Sequence, residues 1–249
     1  MGSIGLQLYS VREAAALDFL GTVRKVAAMG YDGVQFAGFF DASASEVKEL
    51  LDDTGIRAAG SHTGLDLLTG DKLKESILYN QEIDNDLLVC PFLPEEKRNS
   101  ADAYKRTAEQ LNKIGRTCKE SGMRFAYHNH NFEFDKFGDV TGFNLLFSQT
   151  EADLVKMELD CFWANYAGHQ AEQIIEKYGE RIVSLHMKDM TSSNGKKRSV
   201  EIGEGTLDIA GLLKTAEGVE WLVVEQEDFD RDPLESAKIN QDNLRGILK

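Results

Sequence analysis

Along this chain, short apolar runs alternate with longer stretches whose apolar residues recur every three or four positions. The short runs predict strands at 4–10 (IGLQLYS), 33–38 (GVQFAG), 57–63 (RAAGSHT) and 86–92 (DLLVCPF). Four more follow at 124–130 (RFAYHNH), 155–162 (VKMELDCF), 182–189 (IVSLHMKD) and 221–228 (WLVVEQED). Helical patterns lie between them. In 17–30, Leu17, Leu20, Val23, Val26 and Ala27 form one stripe, and Gly30 offers a C-cap. The stretch 44–55 ends the same way on Gly55 and 101–122 on Gly122, while a last helix runs from about Pro233 to Leu248. Eight strand–helix units with only 3 prolines predict an α/β fold. Its parallel sheet closes into a (β/α)8 TIM barrel, a single domain over residues 1–249. An open doubly wound sheet competes, but no G-x-G-x-x-G follows the first strand.

Composition narrows the function classes. A formal charge of −14 opposes binding to phosphate backbones, so no nucleic-acid partner is expected. The one basic run, GKKRS at 195–199, is expected to form a solvated loop. Apolar runs such as WLVV at 221–224 are too short to span a bilayer. MGSIGLQLYS lacks the basic start and apolar core of a signal peptide. Cys90, Cys118 and Cys161 form no CxxC pair, which fits reduced thiols and a cytoplasmic location. Nothing in the sequence fixes the oligomeric state.

The polar residues collect where a barrel places its chemistry, at the C-terminal ends of the strands. These ends read QLYSVR, SHTG, YHNHNFE, ELD, HMKD and EQED. Two of the chain's 5 histidines stand in the eight residues YHNHNFEF (127–134). Alternate strand residues share a face, which pairs His128 with His130, Glu158 with Asp160, His186 with Lys188, and Glu225 with Glu227. Imidazole and carboxylate groups from several strands, converging on one mouth, make a ligand set for Mn2+, Co2+, Zn2+ or Mg2+. Carboxylates crowded at one mouth repel one another, and a cation relieves that repulsion. For Asp66 and Asp189 the competing expectation is a helix cap, and for a single strand-end histidine a hydrogen-bonded rim position.

Taken together, IGLQLYSVR, GYDGVQFAGF, GSHTGLD, AYHNHNFEF, ELDCFWANYAG, VSLHMKDM, IGEGTLDIAGLL and VVEQED resemble the sugar phosphate isomerase/epimerase family of xylose isomerase-like TIM barrels, over essentially the whole chain. That resemblance implies one divalent ion held by the last four strands and a small sugar or polyol substrate. Asp160, His186 and Glu225 look like three of the ligands. At the fourth position family epimerases carry a glutamate that is both ligand and base. His128 stands there in this sequence, and Glu158, deeper in the barrel, is the alternative fourth ligand. Keto-inositol dehydratase relatives are similar in having a histidine-rich fifth strand. Gln35 also departs, since relatives often have an acid there.

The chemistry so implied is proton abstraction next to a carbonyl, with Glu225 as base and Glu133 and Glu158 as the other candidate catalytic acids. Glu133 matches a family position that contacts substrate. His62, His130, Lys188, Arg12 and Gln7 are candidates to bind substrate, with Trp163 and Phe39 as an apolar wall. The expected activity is a metal-dependent sugar isomerase or epimerase; the alternative is a keto-inositol or keto-sugar dehydratase or hydratase. Because a metal-bound histidine is a poor proton acceptor, free-ketose 3-epimerisation ranks behind isomerisation, elimination or hydration. A phosphodiesterase would need more histidines on the later strands and a basic surface, and a non-catalytic sugar-binding barrel would not need all four metal-type residues.

Overall fold

The strand-forming runs appear in the computed structural model, which describes residues 2–193 and 195–249, as one closed parallel barrel. Its strands are β1 Ser3–Gln7, β2 Gly33–Phe36, β3 Arg57–His62, β4 Leu87–Cys90, β5 Arg124–His128, β6 Lys156–Asp160, β7 Ile182–Met187 and β8 Trp221–Val224. Each pairs with its neighbours in the chain, and β8 closes against β1 with Leu6 beside Val224. The strands are shorter than the runs that predict them. Polar residues at the C-terminal ends, among them His130, Lys188 and Glu225, leave the ladder and line its mouth.

Alternation along the strands sorts residues between two environments. Outward-facing residues such as Ile4, Leu6, Val34, Phe36, Phe125 and Leu185 pack under the helices in the main core. Inward-facing ones fill the barrel and grow more polar toward its C-terminal end. At the bottom, Trp221 packs with Ala59 and Val223. A side chain at position 33 would bring Cβ to 2.5 Å from Trp221 Cη2, so the indole requires glycine there. Above lie Gln7, Gln35, Glu158 and Ser184, all fully buried. The top is His128, Asp160, His186 and Glu225. Register aligns this layer, since Asp160 pairs with His186 and His186 with Val223.

Several local expectations change. Asp18 interrupts the 17–30 stripe: one helix ends at Leu17, and the Asp18 carboxylate caps Phe19–Ala28 by accepting from Gly21 N at 2.9 Å. Leu17 is 90% exposed and does not join the stripe, whose buried members include Val23 and Val26. The run 195–199 is not a loop. Lys196–Val200 forms an antiparallel hairpin with Asp189–Ser193, so a strand pair carries the basic residues. Asp189 caps no helix; its carboxylate accepts the amides of Gly203, Gly205 and Leu207 at 2.9–3.0 Å and ties the hairpin to the loop after it. Asp66 lies in a turn, and the next helix, Gly70–Glu82, begins after Thr69. No helix among the described residues is long and apolar enough to cross a membrane.

Candidate active site

Four side chains from the last four units converge at the barrel mouth. His128 ends β5, Asp160 ends β6, His186 lies in β7 and Glu225 follows β8. One ligand atom from each can be chosen so that all four lie within 4.8 Å of one another. All four side chains are buried. A second set, His62, His128, Glu158 and His186, meets the same criterion one layer deeper.

The fit of a divalent ion is tested by what satisfies these atoms from within the protein. Lys188 Nζ is buried 2.9 Å from Asp160 Oδ2, 2.6 Å from Glu225 Oε2 and 2.6 Å from Glu227 Oε1. The approach to Asp160 is close enough for an ion pair but misaligned for a hydrogen bond, so Asp160 Oδ2 is a buried oxygen without a donor. Two imidazoles, two carboxylates and one orphaned oxygen suit a divalent ion. In the upper group, His186 Nδ1 lies 3.0 Å from Glu225 Oε2 and His128 Nε2 lies 3.9 Å from Asp160 Oδ2.

Burial and charge set the protonation of these groups. Burial pushes the Asp160 carboxyl up, to about 6, although Lys188 and His186 pull it down. Glu225 feels the same burial, but Lys188 and His186 overcome it and hold its carboxyl well below the ordinary value. Burial lowers His186, yet Glu158 and Glu225 outweigh it and raise the imidazole to about 10. His128 is instead held well below its usual value, by burial and then by the charge on His186. His130 falls to about 3 for the same first reason, with Lys188 next, so it is neutral near pH 7.

A cavity of about 310 Å3 opens above the cluster. His62, His128, His130, Glu225 and Glu227 line it, with Tyr9 and Phe92 at its rim. Its size falls in the range of small-molecule sites. A larger hollow of about 550 Å3 at the opposite end of the barrel is lined by Lys48, Asp52, Asp84 and Asp86 and contains no histidine. Barrel chemistry is found at the C-terminal face, so the smaller cavity is the candidate site.

Not every sequence candidate reaches this cavity. Glu133 is fully buried behind β5, where Tyr127 OH donates to one carboxylate oxygen and His130 N donates to the other at 2.7 Å. It braces the His130 backbone and does not line the cavity. Glu158 lies below the cavity with donors on both oxygens. Gln7 is buried at the same depth and donates to Gln35 Oε1 at 2.6 Å. Arg12 stacks on Tyr9, 4.6 Å from the ring centroid, outside the cluster. Trp163 lies beside the mouth, with Lys188 Nζ 5.4 Å from a ring centroid and its own Nε1 buried without a partner. Phe39 lines a neighbouring hollow with His62 and Tyr79. Glu227, paired with Glu225 by alternation in the sequence but given no site role there, lines the cavity as well. Ser199 in the hairpin positions it by accepting the Glu227 and Asp228 amides at 3.0 and 2.9 Å.

Known proteins align with this arrangement over different lengths. The profile of the xylose isomerase-like TIM barrel family matches residues 23–247. An inosose dehydratase from Clostridium perfringens is 29% identical over 155 residues, covering 59% of this chain and 46% of that protein. One from Geobacillus kaustophilus is 22% identical over 187 residues, covering 67% and 60%. The chain thus matches about half the length of these curated relatives. Among solved structures, a sugar phosphate isomerase/epimerase from Parabacteroides distasonis superposes with a TM-score of 0.84 at 22% identity, covering all of both chains. The IolI protein with a bound zinc atom superposes at 0.78 and 14% identity, covering 99% and 98%.

Proposed function

The chain belongs to the xylose isomerase-like TIM barrel family, and from that premise we propose that it is a metal-dependent lyase removing water from a keto-inositol or keto-sugar. This reverses the order expected from the sequence, which put isomerisation or epimerisation first and dehydration second. The relatives named inosose dehydratase favour the change. The observation that carries it is the asymmetry of the cavity. The acids lining it, Glu225 and Glu227, both belong to the loop after β8, while the other wall is His62, His128 and His130. Glu133 and Glu158 lie behind the wall with their oxygens occupied. An epimerase that exchanges a proton between two faces of a carbon needs a base on each face. One acidic wall suits abstraction on a single face followed by loss of the neighbouring hydroxyl.

In this reading His128, Asp160, His186 and Glu225 hold a divalent ion: Mn2+, Co2+, Zn2+ or Mg2+. When bound, the ion supplies Lewis-acid polarisation of the substrate carbonyl. Glu225 takes the proton from the carbon next to that carbonyl. Lys188 steadies the Glu225 carboxylate from 2.6 Å and keeps Glu227 oriented at the cavity edge. His130, neutral, lines the cavity and turns its ring toward a substrate hydroxyl. The proton and the β-hydroxyl leave together as water, and the carbon skeleton keeps an unsaturated ketone. The test is to incubate keto-inositols, keto-glycosides and free ketoses with each metal and follow the products by NMR. Water loss from a keto substrate supports the reading; rapid 3-epimerisation of a free ketose without elimination overturns it.

A further inference from the structure

Glu158 has an unusually complete set of donors for a carboxylate inside a barrel. Its Oε1 lies 2.6 Å from His62 Nε2, 3.2 Å from His128 Nδ1 and 3.0 Å from His186 Nε2. Its Oε2 accepts from Gln35 Nε2 at 2.5 Å and from Ser184 Oγ at 2.7 Å. The residue is fully buried and does not line the cavity. An ionised carboxylate only accepts hydrogen bonds, so every group facing it must donate.

That requirement propagates. With its amide nitrogen on Glu158, Gln35 turns Oε1 toward Gln7 Nε2 at 2.6 Å and His186 Nε2 at 2.7 Å. His186 Nε2 therefore has only acceptors as near neighbours, Gln35 Oε1 and Glu158 Oε1, and carries a hydrogen. His128 Nδ1 likewise carries one. The opposite nitrogens, His128 Nε2 and His186 Nδ1, are the ones that face Asp160 and Glu225. Which ring nitrogen is open to a ligand is set by the hydrogen bond the other nitrogen makes.

We propose that Glu158 is a positioning residue, one carboxylate that sets the ring orientation and open nitrogen of both histidines at the ion site. The proposal rests on the reading of His128 and His186 as ligands. It also accounts for Gln35 in place of an acid: a carboxylate at position 35 would stand against Glu158 and could not bridge Glu158 to His186. A structural role alone would require only that the interior be filled. This role requires an acceptor on the histidine side.

The test has two readouts, neither of which uses turnover. Two-bond 1H–15N correlations on metal-free protein report histidine tautomers. His128 is the informative ring, because the hydrogen-bond partner of its Nδ1 is Glu158 itself, whereas His186 Nε2 also meets Gln35. The wild type is expected to show His128 protonated on Nδ1 and bare on Nε2; the reverse tautomer overturns the proposal even if no variant folds. Zinc affinity from chelator competition is the second readout. Glu158→Met, similar in length but without an acceptor, is expected to release the tautomer and weaken zinc binding about 10- to 100-fold. Glu158→Gln, which can keep one oxygen toward the histidines, is expected to fall between Met and wild type. A Met variant with unchanged tautomer and zinc affinity within twofold of wild type overturns the proposal. A wild type with the Nδ1–H tautomer that binds no zinc would overturn the proposed function and, with it, the ion-site half of this proposal, while the reverse tautomer in a zinc-binding wild type would overturn this proposal alone.

Discussion

Lys188 offers the sharpest test of the charge balance at the mouth. Its ammonium is buried against Asp160, Glu225 and Glu227 at 2.9, 2.6 and 2.6 Å. Burial alone would lower its pKa, but these carboxylates raise it well above the ordinary lysine value. Lys188→Met keeps most of the side-chain volume and removes the charge. Asp160 and Glu225 then stay buried with only His186 as a cation beside them. Breaking a buried ion pair from one side costs about 3–5 kcal/mol. A chain of 249 residues converts each kcal/mol to about 2 °C of Tm, so metal-free Lys188→Met should melt roughly 6–10 °C below wild type. The comparison belongs at pH 8 or above, because losing Lys188 removes a charge that pulls the Asp160 carboxyl down to about 6, and proton uptake by the variant blunts the penalty at lower pH. Adding a divalent ion should recover more Tm in the variant than it adds to wild type, because the ion no longer competes with the ammonium. Metal-free melting points within about 2 °C of each other would refute the argument and leave Lys188 without a balancing role.

Other perturbations separate the site from its scaffold. Glu225→Gln should lower turnover by about a hundredfold or more and abolish solvent deuterium exchange at the substrate carbon; near-normal exchange would place the base elsewhere, with Glu227 next in line. Gly33→Ala forces Cβ to 2.5 Å from Trp221 Cη2 and 2.9 Å from Arg57 O, so a loss of about 1–3 kcal/mol in urea unfolding is expected, and an unchanged midpoint would contradict the packing at the barrel floor. Burial raises the Glu133 carboxyl to about 7, against hydrogen bonds from Tyr127 and His130 that lower it. A folded pKa above the unfolded one binds extra protons between about pH 4.5 and 7, so stability is full below that window and falls as pH rises through it, by about 3 kcal/mol. Wild type minus Glu133→Gln should show that change between pH 4.5 and 8, and a difference independent of pH would rule it out.

What the sequence shows and what it hides have a common cause, the period of two along the strands. That period locates the barrel and the pairs Glu158 with Asp160 and His186 with Lys188, because alternation is local and survives without tertiary contacts. It orders Glu158 below Asp160 but does not show what each meets. Two residues along the strand separate a carboxylate surrounded by donors from one with an oxygen left bare. Those partners follow from how neighbouring strands are staggered, which is settled by closure of the whole barrel and not by any one segment. Glu133 was hidden for a related reason. Three residues after His130 it belongs to a short helical turn, Phe132–Phe134, and the period of two no longer applies. The turn carries its side chain behind β5, where it meets Tyr127. Asp18 marks the same limit in the helices: apolar spacing alone runs 17–30 together, and the capping bond to Gly21 divides it. An acid in a loop or turn is therefore the residue whose role sequence pattern decides least, and at this mouth alternation puts Glu227 on the face of Glu225 while its role follows from contact, through Lys188 at 2.6 Å.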